Sequence, residues 1–277
     1  MPHFVREGAR LFYQRHGTGD PPLVFVHGYC CSHQDWECQV QAFAHRHVVV
    51  ACDLRGHGRS QGDPQRCSIE ALGADVRGLV ASLAARPTIL VGHSMGCRVI
   101  LQAYLDAPEW IAGLVLIDGS WVSPSDLPVA TEVARERLES QGYAAFVRNE
   151  FEGMFPPRAD QGLKERIMAQ ALATPEAIGR PLFMRAIEWD ARHMEAALGR
   201  VTVPLLILQS TAVSRERRRS SLETGGTTPW LDLVRRLVPA ARIRILAGLG
   251  HFSMLEAPDT VNQEIASFAE SLNLSPR

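Results

Sequence analysis

The sequence lacks any apolar run that approaches the length of a membrane-spanning helix, and it has no marked excess of charge of either sign. Lysine and arginine total 29 and aspartate and glutamate total 30, which gives a formal net charge of −1. Because nucleic acids and anionic membranes attract strongly basic proteins, this balance gives no reason to expect either as a partner. Residues 1–6 also lack the apolar stretch of a secretory signal, so we expect a cytoplasmic protein.

The sequence also lacks the cysteine spacing that is typical of a metal site. Three of the six cysteines lie in or beside apolar runs, which favours reduced, packed thiols in a cytosolic protein. Redox activity of the adjacent Cys30 and Cys31 is the alternative to packing. The full set is Cys30, Cys31, Cys38, Cys52, Cys67 and Cys97.

The apolar residues that are present predict an α/β fold with a mostly parallel sheet flanked by helices. Short apolar runs alternate with segments of helical periodicity, and such alternation is typical of parallel strands joined by crossover helices. The runs lie at 23–26, 48–52, 88–91, 114–117, 203–208 and 243–246. We see no internal repeat and no second globular unit, so we expect one domain over residues 1–277.

Residues 122–199 interrupt this alternation with helical patterns only. The predicted helices cover roughly 129–141, 143–152, 163–173 and 175–190, with a break at Pro156-Pro157. An insertion between two strands, beyond their carboxyl ends, is where a lid over an active site would lie. We therefore expect a helical cap over residues 122–199.

The segment Gly92-His93-Ser94-Met95-Gly96 joins a short apolar strand to an amphipathic helix. Strand, Gly-x-Ser-x-Gly and helix together are typical of a nucleophile elbow, in which the serine lies on a very sharp turn. The flanking glycines let the strand and the helix approach closely. Such a turn presents the Ser94 hydroxyl at a helix N-terminus, where backbone N–H groups can receive a developing oxyanion.

Three loops that follow apolar strands carry a serine, an acid and a histidine in the chain order Ser94, Asp118, His251, which is the order of the α/β-hydrolase fold. The sequence resembles that superfamily over essentially its whole length. The matching motifs are His27-Gly28, Asp53-Leu54-Arg55-Gly56-His57-Gly58-Arg59-Ser60, Gly92–Gly96, and Gly250-His251-Phe252 followed by Glu256 and Pro258.

The resemblance implies a nucleophile at Ser94 and a general base at His251, which takes the hydroxyl proton and returns it to the leaving group. It places the oxyanion hole at the backbone N–H groups of Tyr29 and Met95. It implies no metal and no organic cofactor, and a small molecule as the substrate. Three further histidines are expected to hold loops by hydrogen bonds: His27, His57 and His93.

The acid departs from the commonest pattern of the superfamily. Many members carry it after the strand that follows the cap, but residues 208–213 contain no carboxylate and the first one beyond them is Glu216. Some members carry it one strand earlier, where this sequence has Asp118. We favour Asp118 over Glu216 as the partner of the histidine. The same later loop is rich in arginine, which predicts a solvated face: Arg215, Arg217, Arg218 and Arg219.

Three functions remain open at this point. The first is a serine hydrolase that cleaves a small, largely apolar ester, thioester or lactone through an acyl-enzyme on Ser94. Asp118-Gly119-Ser120-Trp121 also resembles cofactor-independent dioxygenases that open 3-hydroxy-4-quinolone rings, in which the His–Asp pair deprotonates the substrate. The third is a hydrolase-like protein that binds a ligand without turnover. We favour the hydrolase, with four candidate substrate contacts: Trp121, Met154, Phe155 and Trp189.

Overall fold

The computed structural model of the chain describes residues 3–83, 87–214 and 217–272. Within these ranges the strands form an eight-stranded sheet and a separate two-stranded sheet. In chain order they are β1 (His3–Arg6), β2 (Ala9–His16), β3 (Leu23–Val26), β4 (Val49–Cys52), β5 (Thr88–His93), β6 (Ile111–Ile117), β7 (Leu205–Gln209), β8 (Thr211–Val213), β9 (Arg219–Ser221) and β10 (Arg242–Ile245).

The large sheet has the order β1-β2-β4-β3-β5-β6-β7-β10, while β8 pairs only with β9. The strands from β4 to β10 in this order are parallel, and β1 and β2 add an antiparallel edge. Every residue of β3 and β5 is buried, as expected for parallel strands covered on both faces. The mostly parallel sheet predicted from the alternating apolar runs is confirmed.

The helices of the described residues are α1 (Glu37–Phe43), α2 (Ile69–Ser82), α3 (Met95–Asp106), α4 (Leu127–Gln141), α5 (Tyr143–Glu152), α6 (Gln161–Leu172), α7 (Glu176–Trp189), α8 (Glu195–Gly199), α9 (Pro229–Leu237), α10 (Ser253–Glu256) and α11 (Pro258–Ser271). Side chains at Ser68, Asp160 and Thr228 accept backbone N–H bonds at the starts of α2, α6 and α9. None of the described helices has both the length and the apolarity needed to cross a bilayer.

Between β6 and β7 the described chain is helical, with α4 to α8 and a π-helical turn at Asp190–Met194. The predicted helices correspond to α4–α7, and their ends differ by no more than two residues. This cap segment, residues 122–199, buries apolar side chains of its own, including Phe146, Phe151 and Leu182. The segment follows β6 and precedes β7, which are neighbours in the sheet. It therefore leaves the sheet at the carboxyl end of β6, on the same edge as Ser94.

Candidate active site

The turn between β5 and α3 holds Ser94 in a strained backbone conformation. Ser94 has φ +54° and ψ −115°, a region that residues other than glycine rarely adopt. Its N–H donates to the Ile117 carbonyl of β6 at 2.9 Å, which ties the turn to the next strand. The Ser94 side chain makes no capping hydrogen bond to α3 and is partly exposed. The hydroxyl is therefore not engaged in capping the helix and is accessible from the surface.

Two glycines permit the close approach of β5, α3 and β3. A Cβ atom on Gly92 would lie 2.5 Å from the Gly96 carbonyl oxygen, and one on Gly96 would lie 2.4 Å from the Val26 carbonyl oxygen. Neither contact is sterically possible without a backbone shift.

We expect Gly96→Ala to lower the free energy of unfolding by about 1–3 kcal/mol, because the added methyl group must displace the backbone of β3. Urea unfolding followed by circular dichroism measures the change. Gly199→Ala is the control, since its Cβ would meet no atom within 4 Å, and it should stay within about 0.5 kcal/mol of the wild type. Equal stability of the two variants would contradict the close packing described at the elbow.

Two backbone segments meet at Ser94, the start of α3 and the loop after β3. Met95 is the first residue of α3, so its N–H has no acceptor within the helix. On the other side, a Cβ atom on Gly28 would lie 3.2 Å from the Ser94 Cβ, which places the loop after β3 directly against the serine. Tyr29 follows in that loop, and its hydroxyl donates to the Gly179 carbonyl of α7 at 3.0 Å. The predicted oxyanion donors, Tyr29 and Met95, thus lie on the two segments that meet at the nucleophile.

Asp118 follows β6 with φ +48°, and its carboxylate is buried among hydrogen-bond donors. Its Oδ2 atom lies 2.5 Å from His251 Nδ1 and 2.5 Å from Thr211 Oγ1. Its Oδ1 atom accepts the backbone N–H groups of Ser210 at 2.9 Å and Thr211 at 2.7 Å. Burial alone would raise the pKa of the Asp118 carboxyl, but the bond from His251 and the nearby positive charge of Arg219 lower it below its ordinary value. The carboxylate is therefore ionised at neutral pH.

The loop after β7 has a different role from the one it has in many members of the superfamily. Instead of an acid, it supplies the Ser210 and Thr211 donors that orient Asp118. The alternative acid, Glu216, lies outside the described residues, so the choice between Asp118 and Glu216 rests here on the 2.5 Å contact of Asp118 with His251.

Arg219 is a site residue that the sequence did not predict, and the prediction of a solvated arginine face is wrong for this residue. Arg219 Nη1 lies 3.2 Å from Asp118 Oδ2 and donates to Thr211 Oγ1 at 2.7 Å, with a side chain only 15% exposed. The physical reason is the short β8–β9 hairpin, in which alternate residues point to opposite sides. Arg218 is exposed, whereas Arg217 and Arg219 are partly buried. The residues Arg-Arg-Arg-Ser-Ser at 217–221 show no alternation of polar and apolar types, so no signal in the sequence pointed to Arg219. Arg215 lies outside the described residues.

His251 is buried beside the elbow. Its ring centroid lies 4.5 Å from that of His93, the residue before Ser94, and its carbonyl accepts a hydrogen bond from His93 Nε2 at 2.9 Å. Burial and the positive charge of Arg219 lower the pKa of His251, and the Asp118 carboxylate opposes them. The imidazole is therefore neutral at neutral pH, which is the state a general base needs.

The other predicted structural histidines do hold loops. His27 Nε2 accepts the Leu54 N–H at 2.9 Å and its Nδ1 bonds the Gly28 carbonyl at 2.8 Å. His57 Nδ1 bonds the Arg55 carbonyl at 3.0 Å. Burial lowers the pKa of His27 to about 3, so that ring carries no charge.

Arg98, one turn beyond Ser94 on α3, joins the elbow to the cap. Its Nε and Nη2 atoms bond the two oxygens of Asp190 at 2.7 and 2.6 Å, and Asp190 begins the π-helical turn. Arg98 Nη1 also donates to the Ser94 carbonyl at 3.3 Å. This buried bidentate pair fixes the cap segment relative to the serine.

The four predicted substrate contacts lie in different surroundings. Trp121 has a buried indole N–H with no partner among the described residues, and Phe155 stacks on Phe252 beside the histidine. Met154 accepts the His251 backbone N–H at 2.7 Å. Trp189 is buried, and its indole donates to Gln102 of α3 at 3.2 Å. Met154 and Phe155 thus lie beside the histidine or its neighbour Phe252, and Trp189 packs the cap segment onto α3. Trp121 follows the acid by three residues.

A strained serine at the start of a helix, with a buried histidine–carboxylate pair packed against the residue before it, is suited to acyl transfer. The model of the alpha/beta hydrolase family matches residues 23–264. The chain belongs to the alpha/beta hydrolase family. It is accordingly an enzyme of the hydrolase type, and the fold class predicted from the sequence is confirmed.

Individual relatives of this hydrolase agree with that placement. A non-heme haloperoxidase of Rhodococcus erythropolis is 30% identical over 280 residues, which cover 96% of this chain and 97% of the relative. An N-acyl homoserine lactone degrading enzyme shares the fold with a TM-score of 0.78 at 22% identity, covering 96% of this chain and all of its own. The enol-lactonase from Burkholderia xenovorans LB400 has the same TM-score and identity, covering 97% of this chain and 100% of its own.

Proposed function

We propose that this hydrolase cleaves a small, largely apolar ester, thioester or lactone through an acyl-enzyme on Ser94. The observation that carries the proposal is the 2.5 Å contact between Asp118 and a His251 ring that packs against the elbow residue His93. The names of the two lactone-cleaving structural neighbours support the substrate class. The apolar Phe155 and Phe252 stack beside the histidine supports an apolar substrate.

The reaction begins when Ser94 Oγ attacks the substrate carbonyl and gives its proton to His251 Nε2. The carbonyl oxygen becomes an oxyanion, which the N–H groups of Tyr29 and Met95 stabilise. Collapse breaks the bond to the leaving group, which takes the proton from His251 and leaves an acyl-enzyme on Ser94. Water then repeats the sequence, with His251 as its base, and releases the carboxylic acid. Asp118 holds the Nδ1 proton of His251 throughout and stabilises the imidazolium.

Arg219 is a positioning residue in this proposal, since it lies beside Asp118 Oδ2, the oxygen that accepts the hydrogen bond from His251 Nδ1. Its charge lowers the pKa of His251, so Arg219→Gln should raise that pKa. Because the base must be neutral, we expect the acid limb of kcat/KM to move to higher pH by about one pH unit. A pH profile on an aryl ester measures the change.

The control for Arg219→Gln is Arg235→Gln, which removes an exposed charge from α9. Its acid limb should coincide with that of the wild type. The value of kcat/KM at pH 8 reports whether the Arg219→Gln site is intact. A limb that stays in place, or that moves to lower pH, would contradict the role given to Arg219.

Trp121 keeps the dioxygenase as a second candidate, because its buried indole N–H lacks a described partner and lies three residues beyond Asp118. A panel of aryl esters, thioesters and lactones in one arm, and 3-hydroxy-4-quinolones with an oxygen electrode in the other, separates the two functions. Hydrolysis without oxygen uptake supports our proposal. Oxygen uptake that survives Ser94→Ala would replace it by ring cleavage, and ligand binding without either turnover would indicate a binding protein.

A further inference from the structure

A cavity of about 460 Å³ lies beside the catalytic acid, between the cap segment and the β8–β9 hairpin. Four arginines line it, namely Arg137, Arg217, Arg218 and Arg219, together with a single described carboxylate, Glu150. Arginine presents a planar fork of donors that matches the oxygens of a carboxylate or a phosphate. The composition of this wall therefore favours an anion.

Two of these four arginines already have an acidic partner. Arg137 pairs with Glu150 at 2.5 Å, and Arg219 lies 3.2 Å from Asp118. Arg217 differs from them. Its Nε atom is buried and has no hydrogen-bond partner among the described residues.

The nearest carboxylates are occupied by other arginines. Asp190 attracts the charge of Arg217, but both of its oxygens bond Arg98. Glu150 attracts it as well, but is paired with Arg137. A buried donor left unused on a partly buried guanidinium is costly, so an added anion has a favourable place to bind.

The remaining wall shows what kind of anion fits. Met154 and Val213 contribute apolar surface to the cavity, and the volume exceeds what an inorganic ion needs. We propose that this cavity binds an organic anion, whose carboxylate or phosphate group bonds Arg217 while its apolar part lies against Met154 and Val213.

Ser94 does not line this anion site, but two of the lining residues contact the catalytic pair. Arg219 contacts Asp118, and the carbonyl of Met154 accepts the His251 N–H. An anion in the cavity offsets the charge of Arg219. Where Ser94 hydrolysis is established, occupancy therefore moves the acid limb of kcat/KM to higher pH, and this consequence alone rests on the proposed function.

The direct test is binding without turnover, measured as the thermal unfolding midpoint during titration with phosphate, acetate or butyrate. Sodium chloride at matched ionic strength is the reference. We expect a saturable rise of about 5–10 °C at a hundredfold excess over Kd. Butyrate should saturate at a lower concentration than acetate, because only butyrate reaches the apolar wall. Response to carboxylates alone or to phosphate alone supports the site and identifies the head group.

Two variants assign the effect to the cavity. Arg217→Gln should remove the saturable rise, whereas the charge-matched surface variant Arg235→Gln should keep it. If Arg217→Gln folds poorly, Arg217→Lys provides the second test, since it retains the charge but loses the fork, and it should weaken binding. A rise no larger than that from sodium chloride, or one unchanged in both Arg217 variants, overturns the proposal. Neither reading depends on catalysis by Ser94.

Discussion

Ser94→Ala should lower kcat for ester hydrolysis by roughly 10⁶-fold, the order found when the serine of a catalytic triad is removed. The loss is large because His251, Asp118 and the two amides act on a bond that only the serine oxygen can form. What remains is water attack assisted by the oxyanion donors. Initial rates on an activated aryl ester measure the loss. The variant must be purified on resin that has not been used for the wild type, because trace wild-type enzyme would mask the loss.

The matched control for Ser94→Ala is Ser140→Ala on α4, whose exposed hydroxyl donates to the Glu136 carbonyl of its own helix. Its kcat should equal that of the wild type. The free energy of unfolding of Ser94→Ala should be no lower than that of the wild type, because the substitution removes a hydroxyl that makes no capping hydrogen bond. A Ser94→Ala enzyme that keeps a tenth or more of its activity would rule out the acyl-enzyme.

Asp118→Asn should lower kcat by about 10⁴-fold. An asparagine at this position can donate its Nδ2 proton to His251 Nδ1, which places the ring proton on Nε2. That tautomer cannot accept the proton of Ser94. The variant also leaves the positive charge of Arg219 beside His251 without its carboxylate, which disfavours the imidazolium. Steady-state rates at pH 8 measure the effect.

A control for loss of a buried ion pair is Asp75→Asn. Asp75 is bonded bidentately by Arg55 at 2.8 Å, as deeply buried as Asp118 but on α2. It should lose stability without a comparable loss of kcat, since removing one partner of a buried pair costs about 3–5 kcal/mol. A 10⁴-fold loss in Glu216→Gln, with Asp118→Asn near wild type, would move the acid to Glu216.

Local sequence pattern was sufficient for much of this molecule. The apolar runs predicted the parallel strands, and the helical periods predicted α4–α7 within two residues at each end. The Gly92–Gly96 segment predicted a strained turn, which Ser94 shows with φ +54°. These features depend on residues that are adjacent in the sequence, so the sequence alone can predict them.

Contacts between residues that are far apart in sequence could not be predicted from local pattern. The pairing of Arg219 with Asp118 joins residues that lie 101 positions apart, and that of Arg98 with Asp190 joins residues 92 positions apart. The β8–β9 hairpin has only three residues in each strand, too few for a clear period. A polar arginine-rich segment was therefore interpreted as solvated, although one of its three described arginines, Arg219, contacts the acid. Which cap residues face the substrate stays a prediction.

The most direct test of an activated Ser94 is intact mass after treatment with a fluorophosphonate, for the wild type and for Ser94→Ala. We expect the wild type to gain the mass of a single adduct and Ser94→Ala to gain none. Both proteins should show the same unfolding transition before treatment. A folded wild type that stays unmodified, or a Ser94→Ala variant that is modified to the same extent, would contradict the assignment of Ser94 as the nucleophile.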